Sequence, residues 1–303
     1  MKRFIIHIII GLVGFCILWM GGELLFDKYK GVNAYSYKYN YVKNNAGIKT
    51  LLIGHSHFEN GLNPYLLGDS AFNFALGGRG NWMGWEIILA NQLYHTMPNL
   101  KTVIYPIGYN NPFESIHYRI PRCDEVEEYM YFYTKYMHAP YDRTPEKYKY
   151  YSALYFNKMG LKYWMDEKID SLGYNPFDGQ MPDWQHQHNV NDSAFYYGEV
   201  ADECYAEYIE YSLQLAKICY ENDIRLIAIT CPCSNAYIRN TRPDIIAKME
   251  SVIDSVRRYY PIEYKNYMRD EEFRADSIYF NSSHLNSEGA DMFARRIKLD
   301  FNL

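Results

Sequence analysis

Short apolar runs that end abruptly in glycine, serine or asparagine recur along this chain, with longer stretches of helical spacing between them. Residues 50–53 form an unbroken apolar run that stops at Gly54-His55-Ser56. Residues 72–76 stop at Gly77-Gly78, and residues 102–107 at Gly108-Tyr109-Asn110-Asn111. Residues 225–230 stop at Cys231-Pro232, and residues 262–267 make a weaker fifth run. Runs of this kind read as strands buried on both faces. Residues 82–94, 204–221, 245–259 and 287–299 read as helices; in the last, Ala290, Phe293, Ala294 and Ile297 recur at helical spacing. Strands that alternate with helices predict an α/β domain around a mainly parallel, doubly wound sheet of five strands. Sites in such sheets lie beyond the carboxyl ends of the strands. The polar residues that end each run fall there.

The amino-terminal 30 residues do not belong to this pattern. Lys2-Arg3 precedes residues 4–22, a run without Asp, Glu, Lys or Arg. Nineteen residues at 1.5 Å each cover roughly 30 Å, the hydrocarbon thickness of a bilayer. The basic pair ahead of the run predicts an inward amino terminus and an extracytoplasmic domain; Trp19 stands near the outer interface. Gly21-Gly22-Glu23 is a poor cleavage site, so an uncleaved anchor in the cytoplasmic membrane is expected, with a cleaved signal peptide as the alternative. Residues 31–48 read as a polar linker with at most one short turn. The domain is expected over 49–303, and residues 113–200, rich in Tyr, Glu and Lys, as a mainly helical insertion.

Composition removes several function classes. A net charge of −5 leaves no basic surplus for nucleic acid. The six cysteines fit no zinc spacing, and Cys231-Pro232-Cys233 is not a redox CxxC. Cys204 and Cys219 on one helix would stand ~20 Å apart, too far to bond. Trp184-Gln185-His186-Gln187-His188 reads as a solvated loop rather than a metal site. Neither a metal nor a cofactor is expected. The 33 tyrosines are expected mainly as packing residues with a wet hydroxyl; a platform for sugar rings is the alternative.

The polar ends of the strands form an ordered set. Ser56 follows the first strand, Gly77-Gly78 the second, Asn110-Asn111 the third, and Asn281-Ser282-Ser283-His284 lies near the carboxyl terminus. This set resembles the four blocks of the SGNH (GDSL-like) hydrolases. Gly54-His55-Ser56 stands for that family's Gly-Asp-Ser, and Asn281-Ser282-Ser283-His284 for its Asp-x-x-His. The resemblance covers residues 50–111 and 225–299 and implies a flavodoxin-like three-layer sandwich. It also implies a serine nucleophile at Ser56 and a general base at His284. The oxyanion donors would be the amides of Ser56 and Gly78, with Gly77 the fallback, and the side chain of Asn110. Asn281 stands where the family's Asp orients the imidazole, and Asp276 is the substitute five residues earlier. His57 either lines the pocket or is a structural histidine. For Ser56 alone, a plain helix N-cap is the competing reading.

These residues lead to an expectation of an extracytoplasmic serine esterase or O-acyltransferase acting on acylated envelope or exported polysaccharide, working beside a multi-pass membrane acyltransferase. The alternative is an SGNH-fold component of little or no activity that binds polysaccharide or such a partner. A lipase is a weaker third, because no long apolar lid is evident.

Overall fold

The computed structural model describes residues 1–30, 34–68, 70–77, 83–109, 111–113, 133–138, 169–186 and 201–303. Helix α1 (Lys2–Lys30) is apolar on every side over residues 8–22. Its segment Lys2–Leu25 has a mean hydropathy of 2.4 and none of it is buried, so its length and composition suffice to cross a membrane.

Helix α2 (Ala34–Asn44) corrects the expected linker. Its polar composition conceals a stripe at helical spacing: Tyr35, Tyr39 and Val42 enter the core. Tyrosine supplies the apolar surface there, because its ring packs as a hydrophobe. Phe72 stacks on Tyr41 from the same helix at 4.1 Å between ring centroids.

Five strands follow: β1 (Thr50–Leu52), β2 (Ala71–Asn73), β3 (Thr102–Pro106), β4 (Arg225–Thr230) and β5 (Glu263–Asn266). They lie in the order β2-β1-β3-β4-β5, and every pair is parallel. This is the doubly wound order in which the chain reverses direction across the sheet between β1 and β3. A strand directs successive side chains to opposite faces. Leu51, Val103, Leu226 and Ala228 accordingly enter one core, with α2, α4 (Met83–Ala90), α5 (Ala201–Glu221) and α7 (Pro243–Arg257) over it. Leu52, Ile104, Ile227 and Ile229 enter the other, under α8 (Ser287–Phe301). The fold is thus the expected three-layer α/β sandwich.

Between these elements lie two short helices at the carboxyl ends of strands, α3 (Ser56–Glu59) after β1 and α6 (Asn235–Arg239) after β4. Helix α8 carries the expected stripe, with Ala290, Phe293, Ala294 and Ile297 all buried. Asn286 caps it, its side chain accepting from the Gly289 amide at 3.0 Å. The expected helix over 82–94 is shorter: α4 ends at Ala90, Gln92 is left-handed, and a 3-10 turn covers Leu93–Thr96.

Where the expected insertion is described, residues 133–136 are α-helical, and residues 169–186 are not. Residues 169–183 carry turns and irregular backbone, followed by a 3-10 turn over Trp184–His186. The segment is tied into the domain. The Asn73 amide donates to the Leu172 carbonyl, the Asn175 amide to that of Glu59, and the Ser287 amide to that of Phe177. Trp184 is 1 % exposed in the second core, so it is not part of a solvated loop. Gln187 and His188 lie outside the described residues.

Candidate functional site

The loop after β1 is shaped by a close approach. Gly54 has φ +135°, and a Cβ there would lie 2.4 Å from Pro106 Cδ at the end of β3. Only glycine tolerates both conditions. The chain then turns at once into α3, whose first residue is Ser56. The N-cap is His55, not Ser56: the His55 side chain accepts from the His57 amide. Ser56 is therefore released from the capping role that was its competing explanation.

Ser56 Oγ lies 2.8 Å from His284 Nε2, across 228 residues of sequence. His284 sits in a loop closed by a bridge between Tyr279 and Leu285, and the Phe280 amide donates to the His284 carbonyl at 2.9 Å. Asn281 organises this loop. Its Oδ1 accepts from the amides of Ser283 at 3.0 Å and His284 at 2.9 Å. The atom facing those donors must be the oxygen, because an amide NH₂ would meet two N–H groups head-on. His284 Nδ1 lies 3.0 Å from the same oxygen and therefore carries the proton. Nε2 is left with its lone pair toward Ser56. The geometry thus fixes the tautomer in which His284 can accept a proton from the hydroxyl. Asp276 opens a separate 3-10 turn, and its carbonyl accepts from Gln180.

Two further histidines adjoin this pair. The His57 ring stacks on that of His284, 4.6 Å between centroids and 4° from parallel. His57 Nδ1 is 3.0 Å from His55 Nδ1. His55 Nε2 is 3.1 Å from Asn111 Oδ1, which also accepts the Gly108 amide at 2.6 Å. His55 therefore donates through Nε2, and its Nδ1 is the acceptor for His57. Burial, then the nearness of His284, pushes the His55 imidazole down to about 3. The same two causes hold His57 well below 6.5. Burial lowers His284 to about 4. All three rings are neutral at pH 7. The rings of Phe177 and His284 meet edge to face, 5.6 Å between centroids.

A buried ion pair secures the nucleophile turn and was not anticipated from sequence. Lys38 of α2 reaches Glu59, the last residue of α3, at 2.6 Å, and also donates to the Ala75 carbonyl beyond β2. Both side chains are almost wholly buried, at 0 % and 6 % exposure. Glu59 also accounts for Gly77: a Cβ there would stand 2.4 Å from the Glu59 carboxylate. Asn73 adds a third tie, donating to the carbonyls of Phe58 at 2.7 Å and Leu62 at 3.2 Å. The signal present in the sequence is a lysine on the apolar stripe of α2, between Tyr35 and Val42.

Gly78 and Asn110, expected as oxyanion donors, lie outside the described residues. Among the described residues no group of three or more His, Cys, Asp or Glu side chains could hold a metal ion. Beside the histidines, the carboxyl ends of β3 and β4 wall a small, partly open pocket lined by His55 and His57 but not by Ser56 or His284. Compared with known proteins, the chain matches no family model and no curated protein.

Proposed function

We propose that the protein is a membrane-anchored, extracytoplasmic serine esterase or O-acyltransferase whose nucleophile is Ser56 and whose base is His284. The observation that carries this reading is the geometry around His284: Nε2 lies 2.8 Å from Ser56 Oγ while Nδ1 faces Asn281 Oδ1 at 3.0 Å. A serine needs an unprotonated base in that position to attack an acyl carbon.

In the proposed reaction, Ser56 Oγ bonds to the carbonyl carbon as its proton passes to His284 Nε2. Negative charge gathers on the carbonyl oxygen, and the resemblance to SGNH hydrolases makes the Ser56 amide one donor to it. The resemblance to SGNH hydrolases assigns further donors to Gly78 or Gly77 and to Asn110. Collapse breaks the bond to the alcohol oxygen, which leaves with the proton from His284. Water or a sugar hydroxyl then attacks the acyl-serine by the reverse steps. Asn281 orients the imidazole but brings no charge to its protonated form, so the chemistry relies on geometry more than on an ion pair. Acylated carbohydrate of the envelope is the substrate this reading assigns, with a multi-pass membrane acyltransferase as the partner.

Lys2-Arg3 ahead of the apolar run of residues 4–22, with Glu23 and Asp27 behind it, supports an inward amino terminus and an outward domain. One experiment examines site and topology together. A membrane-impermeant fluorophosphonate added to intact spheroplasts is expected to label the wild type at Ser56. Ser56→Ala and His284→Ala proteins are expected to remain unlabelled and to lose small-ester turnover by roughly 10⁴-fold or more, with unchanged circular dichroism. Labelling only after lysis would reverse the topology. No labelling in either case would remove the nucleophile and favour a binding component.

A further inference from the structure

Two neighbouring residues of α3 meet the same imidazole from different directions. Ser56 and His57 open that helix. The Ser56 hydroxyl stands at the edge of the His284 ring, 2.8 Å from Nε2. The His57 ring covers its face, 4.6 Å between centroids and 4° from parallel. Proton transfer from Ser56 turns His284 into an imidazolium. Asn281 Oδ1 holds its Nδ1 but brings no charge. Among the described residues no carboxylate bonds to the ring, and burial lowers its pKa to about 4.

We propose that His57 is a positioning residue for the base: its π face, held against the His284 ring by His55 and Asn111, stabilises the imidazolium that proton transfer creates. This rests on the serine-nucleophile reading above. It adds the group that offsets the charge Asn281 cannot.

The first argument is the lock on the stack. His57 Nδ1 donates to His55 Nδ1 at 3.0 Å, and His55 Nε2 donates to Asn111 Oδ1 at 3.1 Å. That oxygen also accepts the Gly108 amide, just beyond β3. A chain of polar groups rooted at the end of the sheet thus sets the plane of His57. The second is electrostatic. An aromatic face attracts a cation within about 6 Å of its centroid, and more strongly where water is excluded. A neutral imidazole is an electron-rich ring and acts in the same way, provided that it stays neutral. Burial, then the His284 and His55 rings, hold His57 well below 6.5, and the Ser283 carbonyl, which favours a proton there, does not outweigh them. Cys231 and Cys233 line the pocket beside His57, and burial keeps both thiols protonated. No carboxylate, lysine or arginine among the described residues lines that pocket. In the step itself the Ser56 proton goes to His284 Nε2 and returns to the leaving oxygen, and His57 takes none.

Full-length protein in detergent separates the face from the hydrogen bond. His57→Leu removes the face, and His57→Phe restores it without the bond to His55. With p-nitrophenyl acetate, His57→Leu is expected to lower kcat about five- to tenfold at unchanged KM and to move the acid limb of kcat/KM downward. His57→Phe is expected to recover most of both. Urea midpoints should fall alike in the two variants, because both lose the His55 bond; rates that simply follow those midpoints overturn the proposal. If His57→Leu does not fold, His57→Gln replaces it, since its amide can donate to His55 but offers no aromatic face. A second readout needs no turnover. The His284 signal in ¹³C-histidine-labelled protein, assigned by His284→Ala, gives the pKa of that ring. Its acid constant is expected to rise about five- to tenfold in His57→Leu and to return toward the wild-type value in His57→Phe. Equal His284 pKa values in all three proteins, or equal kcat in His57→Leu and His57→Phe, overturn the proposal. Fluorophosphonate labelling of Ser56 reports on the nucleophile alone. Labelled Ser56 with an unmoved His284 pKa keeps the nucleophile and overturns the role of His57. Unlabelled Ser56 with a lowered His284 pKa in His57→Leu keeps the stack and overturns the nucleophile.

Discussion

The two halves of the candidate site are held in opposite ways. In the histidine loop the contacts that orient the ring are local: Asn281 binds the amides two and three residues ahead and the ring of His284, all within four residues. Ser234 and Met181 tie the backbone of Ser282 and Phe280 from distant segments. The nucleophile turn is held from a distance. Lys38 reaches it from 21 residues upstream, Asn73 from 15 residues downstream, and Asn111 holds His55 across 56 residues. A local loop keeps its shape through its own sequence. A turn that depends on distant polar groups keeps its shape only if the whole domain is intact, and its partners are costly to remove because they are buried.

The largest test of this contrast is Lys38→Met. It leaves Glu59 ionised or newly protonated without its partner, a change that typically costs ~3–5 kcal/mol. Urea unfolding should report a loss of that order, and the double variant Lys38→Met/Glu59→Leu should recover much of it. Asn281→Ala, acting on the local loop, should lower ester turnover far more than it lowers stability. If Lys38→Met leaves the unfolding midpoint in place, the turn is not held from a distance.

Acid comes next. His55 and His284 are neutral in the fold, at about 3 and about 4, against 6.5 in the unfolded chain. Below pH 6.5 the unfolded chain therefore binds protons that the fold does not, and stability falls until the folded values are reached. At pH 5 each of the two costs ~2 kcal/mol relative to neutral pH. His57 adds to the same trend. The base itself stays competent further down: the acid limb of kcat/KM should lie near pH 4, below the onset of destabilisation. Denaturant midpoints that do not change between pH 7 and pH 5 would show that these rings are not buried neutral.

The smallest effect sharpens the local half. Asn281→Asp should raise small-ester turnover by about tenfold, near 1.4 kcal/mol, by stabilising the imidazolium. The gain is modest because Asn281, pinned by two backbone donors, already sets the tautomer. The substitution should also move the acid limb upward, since a carboxylate raises the imidazole pKa. A slower Asn281→Asp enzyme would mean that its oxygen serves a role other than orienting His284.

The contrast also separates what the sequence carried from what folding added. The five strands, their parallel arrangement, the packed face of α8 and a membrane-length amino-terminal helix were all legible. Each is written as a period or run within a short window, and short-range periodicity survives into the fold unchanged. Asn281, three residues before His284, is placed in the sequence by its resemblance to the last SGNH block rather than by any period. Helix α2 reads as a linker in the sequence because its stripe is built of tyrosine rather than aliphatic residues. The packing of residues 169–186 against the histidine loop, the Lys38 and Glu59 pair, and the stack of His57 on His284 were not legible at all. Those features exist only where segments far apart in sequence meet. Their energetics depend on burial, which turns an ordinary lysine into a clamp and an ordinary histidine into a neutral ring, and burial is set by the tertiary structure alone.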